Sequence, residues 1–162
     1  DLHRVDRRQR QDVYKRQAVG GGVGIIAACD YVFASNNAST KLSELAIGIG
    51  PFVIEPAVSR KIGKTAMTEM TLAATEWKSA EWGLIKGLFT QLFDSTKELD
   101  EALNSFALNL SNYNPEALFE MKKVIWEGTE NWNTLLYERA EISGKLVLSD
   151  FTKDALQKFK SK

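Results

Sequence analysis

Two short stretches of this chain carry residues able to do chemistry together. The first is Ala18-Val19-Gly20-Gly21-Gly22-Val23-Gly24-Ile25-Ile26-Ala27-Ala28-Cys29-Asp30, in which three consecutive glycines open an apolar helical run. Glycine adopts backbone angles closed to other residues and lets a ligand approach the main chain. The N–H groups at a helix start have no partner inside the helix and lie at its positive end, so they favour negative charge as it develops. The second stretch is Ser43-Glu44-Leu45-Ala46-Ile47-Gly48-Ile49-Gly50-Pro51, where a lone glutamate stands in an apolar setting. Such a carboxylate can take and return a proton. Glu44 and the glycine-rich helix start are therefore the candidate pair: one moves protons and the other holds the charge that results.

The chain that must position this pair begins with a segment of different character. Residues 1–17 hold three acids and six bases, few apolar residues and no periodicity. Asp12-Val13-Tyr14-Lys15-Arg16-Gln17 is what GAT-GTG-TAT-AAG-AGA-CAG encodes, which resembles the transposase recognition end used to build short-read libraries. Arg7-Arg8-Gln9-Arg10-Gln11 and Asp1-Leu2-His3 fit the adapter and flow-cell sequences upstream. We read residues 1–17 as translated sequencing adapter and set them aside. Removing them from the 21 basic and 21 acidic residues of the whole chain leaves 15 against 18, a net charge of −3 over 145 residues.

Composition then narrows the function classes. His3 is the only histidine and lies in the excluded segment, so Ser-His-Asp, Cys-His and histidine-metal chemistry find no residues in the remainder, and no metal site is expected. The slight acidity argues against nucleic acid as a partner. The single cysteine, Cys29, permits no internal disulfide, and its apolar neighbours predict a small buried hydrophobe. No apolar run approaches the roughly 18 residues that span a bilayer, so no membrane role is expected and the chain is placed in the cytoplasm. With 44% hydrophobic and 26% charged residues the composition is that of an ordinary globular domain.

Periodicity predicts a mixed front and a helical back. A helix is expected over residues 21–29, strands over 31–34 and 40–43, and a turn between them. A helix over 51–62 should end at Gly63, and Thr65 should cap the next one over 66–74. Ser79 caps a short helix to about Gly83, and residues 87–93 read as a strand. From Thr96 onward the pattern is helical. Leu99, Leu103, Phe106 and Leu110 share one face, and Asn114-Pro115-Glu116 places cap, proline and first-turn acid in their preferred order. Trp77, Trp82, Trp126 and Trp132 read as core or interface filling. The last helices carry amphipathic faces that the short front half does not satisfy, which implies packing on sequence outside this chain or on a partner subunit.

Gly22-Val23-Gly24-Ile25-Ile26-Ala27 also matches G-x-G-x-x-A, with Glu44 twenty residues after Gly24, the spacing of a dinucleotide site. Against it, the strand that should precede the glycines is missing, and the sequence after Glu44 becomes nearly all helix instead of alternating strands and helices.

Taken together, Ala18-Val19-Gly20-Gly21-Gly22, the Ala28-Cys29-Asp30 helix end, Ser43-Glu44-Leu45, Gly48-x-x-Pro51 and Lys78-Ser79-Ala80-Glu81-Trp82-Gly83-Leu84-Ile85 resemble the crotonase, or enoyl-CoA hydratase/isomerase, superfamily. The resemblance covers residues 18–162. It implies an α/β (α+β) fold: the second half of a ββα spiral over residues 18–94, followed by a helical trimerisation region over 95–162. It implies a lyase or isomerase acting on an acyl-CoA substrate, with CoA part of that substrate and no separate cofactor, in a homotrimer or hexamer of the full-length protein. Gly21 matches the position whose N–H forms one half of an oxyanion hole, and the other half falls outside the chain. Val19 and Gly20 fall at substrate-binding positions, and Phe52 would line the acyl pocket. Glu44 matches the second of two catalytic glutamates, whereas Gly24 stands where the first would be. With Pro51-Phe52-Val53-Ile54-Glu55-Pro56, this pattern is similar to bacterial methylglutaconyl-CoA hydratases of leucine breakdown. The leading expectation is hydration of a short or branched 2-enoyl-CoA. An isomerase working with one glutamate, and a truncated chain without activity, are the alternatives. Glu55 is read as a helix N-terminal acid before a second catalytic carboxylate. Lys158, Lys160 and Lys162 are read as solvated charge before CoA-phosphate ligands.

Overall fold

The computed structural model describes residues 17–160. The adapter-like segment, except Gln17, lies outside the described residues, as do Lys162 and the side chain of Lys160. The chain opens with β1 (Gln17–Val19), α1 (Gly21–Ala27), β2 (Phe33–Ser35) and β3 (Ser39–Lys41), then a 3-10 turn (Glu44–Ile47). There follow α2 (Glu55–Leu72), β4 (Lys78–Ser79), α3 (Ala80–Ile85) and β5 (Gln91–Phe93). Four helices complete it: α4 (Thr96–Ser111), α5 (Pro115–Ile125), α6 (Trp132–Val147) and α7 (Asp150–Lys160).

The strands form two small sheets. β3 is central in the first, parallel to β1 with Ala18 opposite Thr40, and antiparallel to β4 with Thr40 opposite Lys78. β2 and β5 form a parallel pair with Ala34 opposite Leu92. Parallel neighbours need a long crossover. Here α1 carries the chain from β1 towards β3, and α2 and α3 carry it from β2 to β5.

The core lies where α1 and α2 cross these sheets. Val23 and Ala27 of α1, Val58, Ile62, Ala66, Met67 and Met70 of α2, and Ala34, Leu42, Ala80, Leu88 and Phe89 bury one continuous apolar cluster. α2 breaks at Gly63, whose φ of 78° no helix admits, so the two predicted helices meet there as one bent element. The caps act as expected. Ser95 and Glu98 form a reciprocal capping box, and Asn114 accepts from the N–H groups of Glu116 and Ala117 with Pro115 at the first position. Tyr31, Phe33, Phe93 and Phe106 stack with centroids 4.4–5.6 Å apart and seat α4 on β2 and β5. Trp126 donates to Asp30 Oδ1 at 2.6 Å, Lys122 pairs with the same carboxylate, and Arg60 lies 4.2 Å over the indole, tying α5 to the end of α1.

Several expectations are corrected. A strand does precede the glycines: β1, whose three residues are too few to show a period. Cys29 is exposed, because α1 ends at Ala27 and the next residues turn outward, its thiol reaching only the Ile25 carbonyl at 3.4 Å. The strand predicted from Gly87 begins at Gln91, since the Leu88 and Phe89 N–H groups return to the Gly83 carbonyl. α2 starts at Glu55 because residues 51–54 form a turn, closed by the Glu55 N–H on the Pro51 carbonyl at 3.0 Å. In α4, α5 and α6 no residue is buried, and Leu108, Phe119, Val124 and Tyr137 are more than 60% exposed. None of the described helices is long and apolar enough to cross a membrane.

Met70 is 1% exposed, so Met70→Ala is expected to lower unfolding free energy by about 2–5 kcal/mol. Ser95→Ala, which removes one cap, should cost only about 1 kcal/mol. Urea unfolding of the two variants side by side checks the ranking, and a larger loss at Ser95 would contradict it.

Candidate active site

Gly20 is the joint between sheet and helix. Its N–H donates to the Lys41 carbonyl at 3.0 Å, fixing it to the end of β3, and its carbonyl accepts from Val23 at 2.9 Å and Gly24 at 3.3 Å, starting α1. Its φ of 54° and ψ of −118° suit glycine alone. A Cβ built on it would stand 2.8 Å from Glu44 Oε1, so the carboxylate rests directly against bare backbone. The next residue, Gly21, is exposed and nothing lies within 4 Å of where its side chain would be. Its N–H, first in the helix, has no intrahelical acceptor.

Glu44 begins the 3-10 turn, which the Ile49 N–H closes on the Glu44 carbonyl at 3.0 Å. The side chain is half-buried, and Oε2 is buried without a hydrogen-bond partner among the described residues. Burial pushes its carboxyl above the ordinary value, against a smaller opposing pull from its own backbone N–H. A carboxyl of raised proton affinity, beside open N–H donors at a helix start, suits proton transfer next to a developing oxyanion. The turn is held from the far side: a Cβ on Gly48 would meet Phe151 Cδ1 at 2.5 Å and Thr152 Oγ1 at 2.8 Å, so α7 packs flush on it. Thr152 is fully buried there.

Gly24 lies one turn along α1 from Gly20. Ile54, the residue before α2, is packed onto it, its Cβ only 2.8 Å from where a Gly24 Cβ would be. Neither this contact nor that of Gly48 with α7 carries a sequence signal, since each joins segments remote along the chain.

Of the predicted site residues, the structure brings Glu44 together with Gly20, and hence with Gly21 and Val19, its chain neighbours. Val19 ends β1 opposite Lys41, 41% exposed. Phe52 turns back over Gly50, whose Cβ would meet its ring at 2.5 Å. Glu55 accepts from Ser59 at 2.6 Å and stands 3.9 Å from Arg139, engaged as a helix-start acid. Lys158 is exposed on α7. Among the described residues no group of three His, Cys, Asp or Glu side chains could hold a metal ion.

The sequence profile of the enoyl-CoA hydratase/isomerase family matches residues 15–162, and the chain belongs to that family. It is 34% identical over 106 residues to the bacillaene synthase dehydratase PksH of Bacillus subtilis, covering 64% of this chain and 38% of that one. It is 28% identical over 116 residues to the peroxisomal Δ(3,5)-Δ(2,4)-dienoyl-CoA isomerase of Arabidopsis thaliana, covering 69% and 40%. Its fold superposes on the crystal structure of an enoyl-CoA hydratase/isomerase from Pseudoalteromonas atlantica with a TM-score of 0.81. That match has 21% identity and covers 90% of this chain and 58% of the other. The chain thus has the crotonase fold, and it spans about two fifths of the length of the curated relatives it matches. The dinucleotide reading of the glycines falls away with this family.

Because the native carboxyl of Glu44 binds its proton more tightly than the unfolded one, folding is unpenalised by this group below pH 4.5, the ordinary value. Stability is lost as pH rises through the raised native value and stays lost above it. Glu44→Gln, which cannot ionise, is therefore expected to unfold at higher urea than wild type at pH 7, with the gap closing below pH 4.5. A gap that widens in acid would contradict this.

Proposed function

We propose that the complete protein adds water reversibly to a 2-enoyl-CoA thioester, with Glu44 as acid and base and the Gly21 N–H on the thioester oxygen. The reading is carried by one observation: the half-buried Glu44 carboxylate, one oxygen unpartnered, lies against Gly20 at the start of α1. The water oxygen bonds to C3 while its proton passes to Glu44. The C2–C3 π electrons move onto the thioester as an enolate, whose oxygen the Gly21 N–H stabilises. Glu44 then returns the proton to C2 and the carbonyl re-forms, so one water is gained and the enzyme is unchanged. Val19, Gly20 and Phe52 border the acyl group. The second oxyanion donor and most of the CoA site would come from sequence beyond this chain, so the chain alone is inactive in this reading. The unburied apolar faces of α4–α6 support assembly as a trimer or hexamer. The similarity of Ser43-Glu44-Leu45, Gly24 and Phe52 to methylglutaconyl-CoA hydratases favours a short, branched acyl chain.

A second reading keeps the same residues. Gly24 supplies no second carboxylate from α1 to partner Glu44, and one carboxylate suffices to move a proton from C2 to C4 of a 3-enoyl-CoA. A dienoyl-CoA isomerase among the relatives supports it.

Ultraviolet absorbance of a short conjugated enoyl-CoA separates the two. Hydration by the complete protein should bleach it, and Glu44→Gln should slow this by about 10²–10⁴-fold, the range for a lost acid-base group. An unchanged conjugated substrate, with absorbance gained from a 3-enoyl-CoA, would replace hydration by isomerisation.

A further inference from the structure

The C-terminal helices bury almost none of their own side chains. Beyond Phe89, Thr152 is the only buried residue among the described ones, and it is fully buried. Threonine is mostly exposed in proteins, and an apolar side chain would gain more from burial if packing were the whole purpose. What Thr152 meets is the turn that carries Glu44. Its Oγ1 lies 2.8 Å from where a Gly48 Cβ would stand, and the Phe151 ring lies 2.5 Å from the same point. Gly48 closes the 3-10 turn with a φ of 82°, its N–H on the Leu45 carbonyl at 3.1 Å. The next N–H, that of Ile49, returns to the Glu44 carbonyl at 3.0 Å. Glu44 therefore stands between two close contacts: its carboxylate meets Gly20, and the backbone of its own turn runs on to Gly48 under α7.

Thr152 is itself held in place. Ser149, just before α7, accepts the Thr152 N–H at 3.3 Å and donates its hydroxyl to Thr152 Oγ1 at 3.1 Å, so the buried oxygen is satisfied. Its branched side chain has little rotamer freedom to leave. We propose that Thr152 is a positioning residue for Glu44: packed with Phe151 against Gly48, it fixes the 3-10 turn so that the carboxylate stays seated on Gly20, and it makes the last helix a condition of proton transfer. It acts through the backbone of residues 44–49. This rests on Glu44 being the acid-base group.

The test uses Thr152→Ala, Thr152→Val and Phe151→Ala in the complete protein, each checked for folding by circular dichroism. The Glu44 carboxyl is followed by 13C NMR titration, and turnover of a short enoyl-CoA gives kcat and KM. None of the three changes adds or removes a titratable group, so a moved titration reports the seat of Glu44. Thr152→Ala opens a void beneath Gly48. It should move the titration to lower pH as the carboxyl leaves its half-buried place. It should also lower kcat by about 10²-fold, the loss that a displacement of roughly 1 Å can cause, with KM nearly unchanged. Thr152→Val keeps both branches against Gly48 and should retain the wild-type titration and kcat. Phe151 is 67% exposed, so Phe151→Ala should fold, and it should shift the titration in the same direction by less. A folded Thr152→Ala with the wild-type titration overturns the proposal, as does Thr152→Val shifting as far as Thr152→Ala. If Thr152→Ala does not fold, an unmoved titration in Phe151→Ala overturns it instead. Because the titration needs no substrate, shifts as expected in a protein that turns over no enoyl-CoA would sink the hydratase reading and leave the role of Thr152 standing.

Discussion

A carboxylate pressed against backbone that has no side chain is the constraint on which this structure turns. Glu44 can lie where it does only because Gly20 offers no Cβ, and Gly20 can start α1 from β3 only because its angles are open to glycine. Any other residue at Gly20 would strain the helix start and displace the carboxylate together. The sheet and the core serve that contact. β3 holds the Gly20 N–H, α2 packs on the buried face of α1 around Val23 and Ala27, and α7 closes on Gly48 behind the Glu44 turn.

The contact has an energetic cost that the fold accepts. A carboxylate oxygen buried without a partner is unfavourable when charged, and buried polar atoms are ordinarily satisfied. Glu44 Oε2 and Thr40 Oγ1 are the two exceptions among the described side chains. For Glu44 the exception has chemical sense, because a group that binds its proton more tightly than usual, yet remains able to release it, suits a site that must both donate and accept. Strained or unsatisfied positions of this kind concentrate at functional sites. The chain belongs to the enoyl-CoA hydratase/isomerase family, whose relatives include a dehydratase and an isomerase, and the proposed reaction rests on this one carboxylate.

Much of this was legible in the sequence because its signals are local. The glycine run, the Ser95 box, the Asn114-Pro115 start and the Gly63 break each act within a few residues. Glu44 stood out because an acid in an apolar stretch is costly without a purpose. What was not legible depended on contacts between remote segments. Nothing near Gly24 announces Ile54, and nothing near Gly48 announces Phe151 and Thr152. Cys29 reads as buried from the sequence because Ala27 and Ala28 show apolar neighbours but not where the helix stops. β1 leaves no sequence signal because three residues cannot establish alternation and its first residue, Gln17, is the last of the adapter-like segment. Residues 87–93 read as one strand because the apolar Leu88 and Phe89 match strand hydrophobicity, although their N–H groups turn back to α3.

The most direct test of the central claim is solvent deuterium exchange at C2 of a saturated or 3-hydroxyacyl-CoA bound to the complete protein, followed by mass spectrometry. It reads the proton step alone, whichever reaction follows. Wild type should incorporate deuterium at C2 and Glu44→Gln should not. Incorporation by Glu44→Gln at the wild-type rate would show that another group moves the proton, and the account built on the Gly20–Glu44 contact would fail.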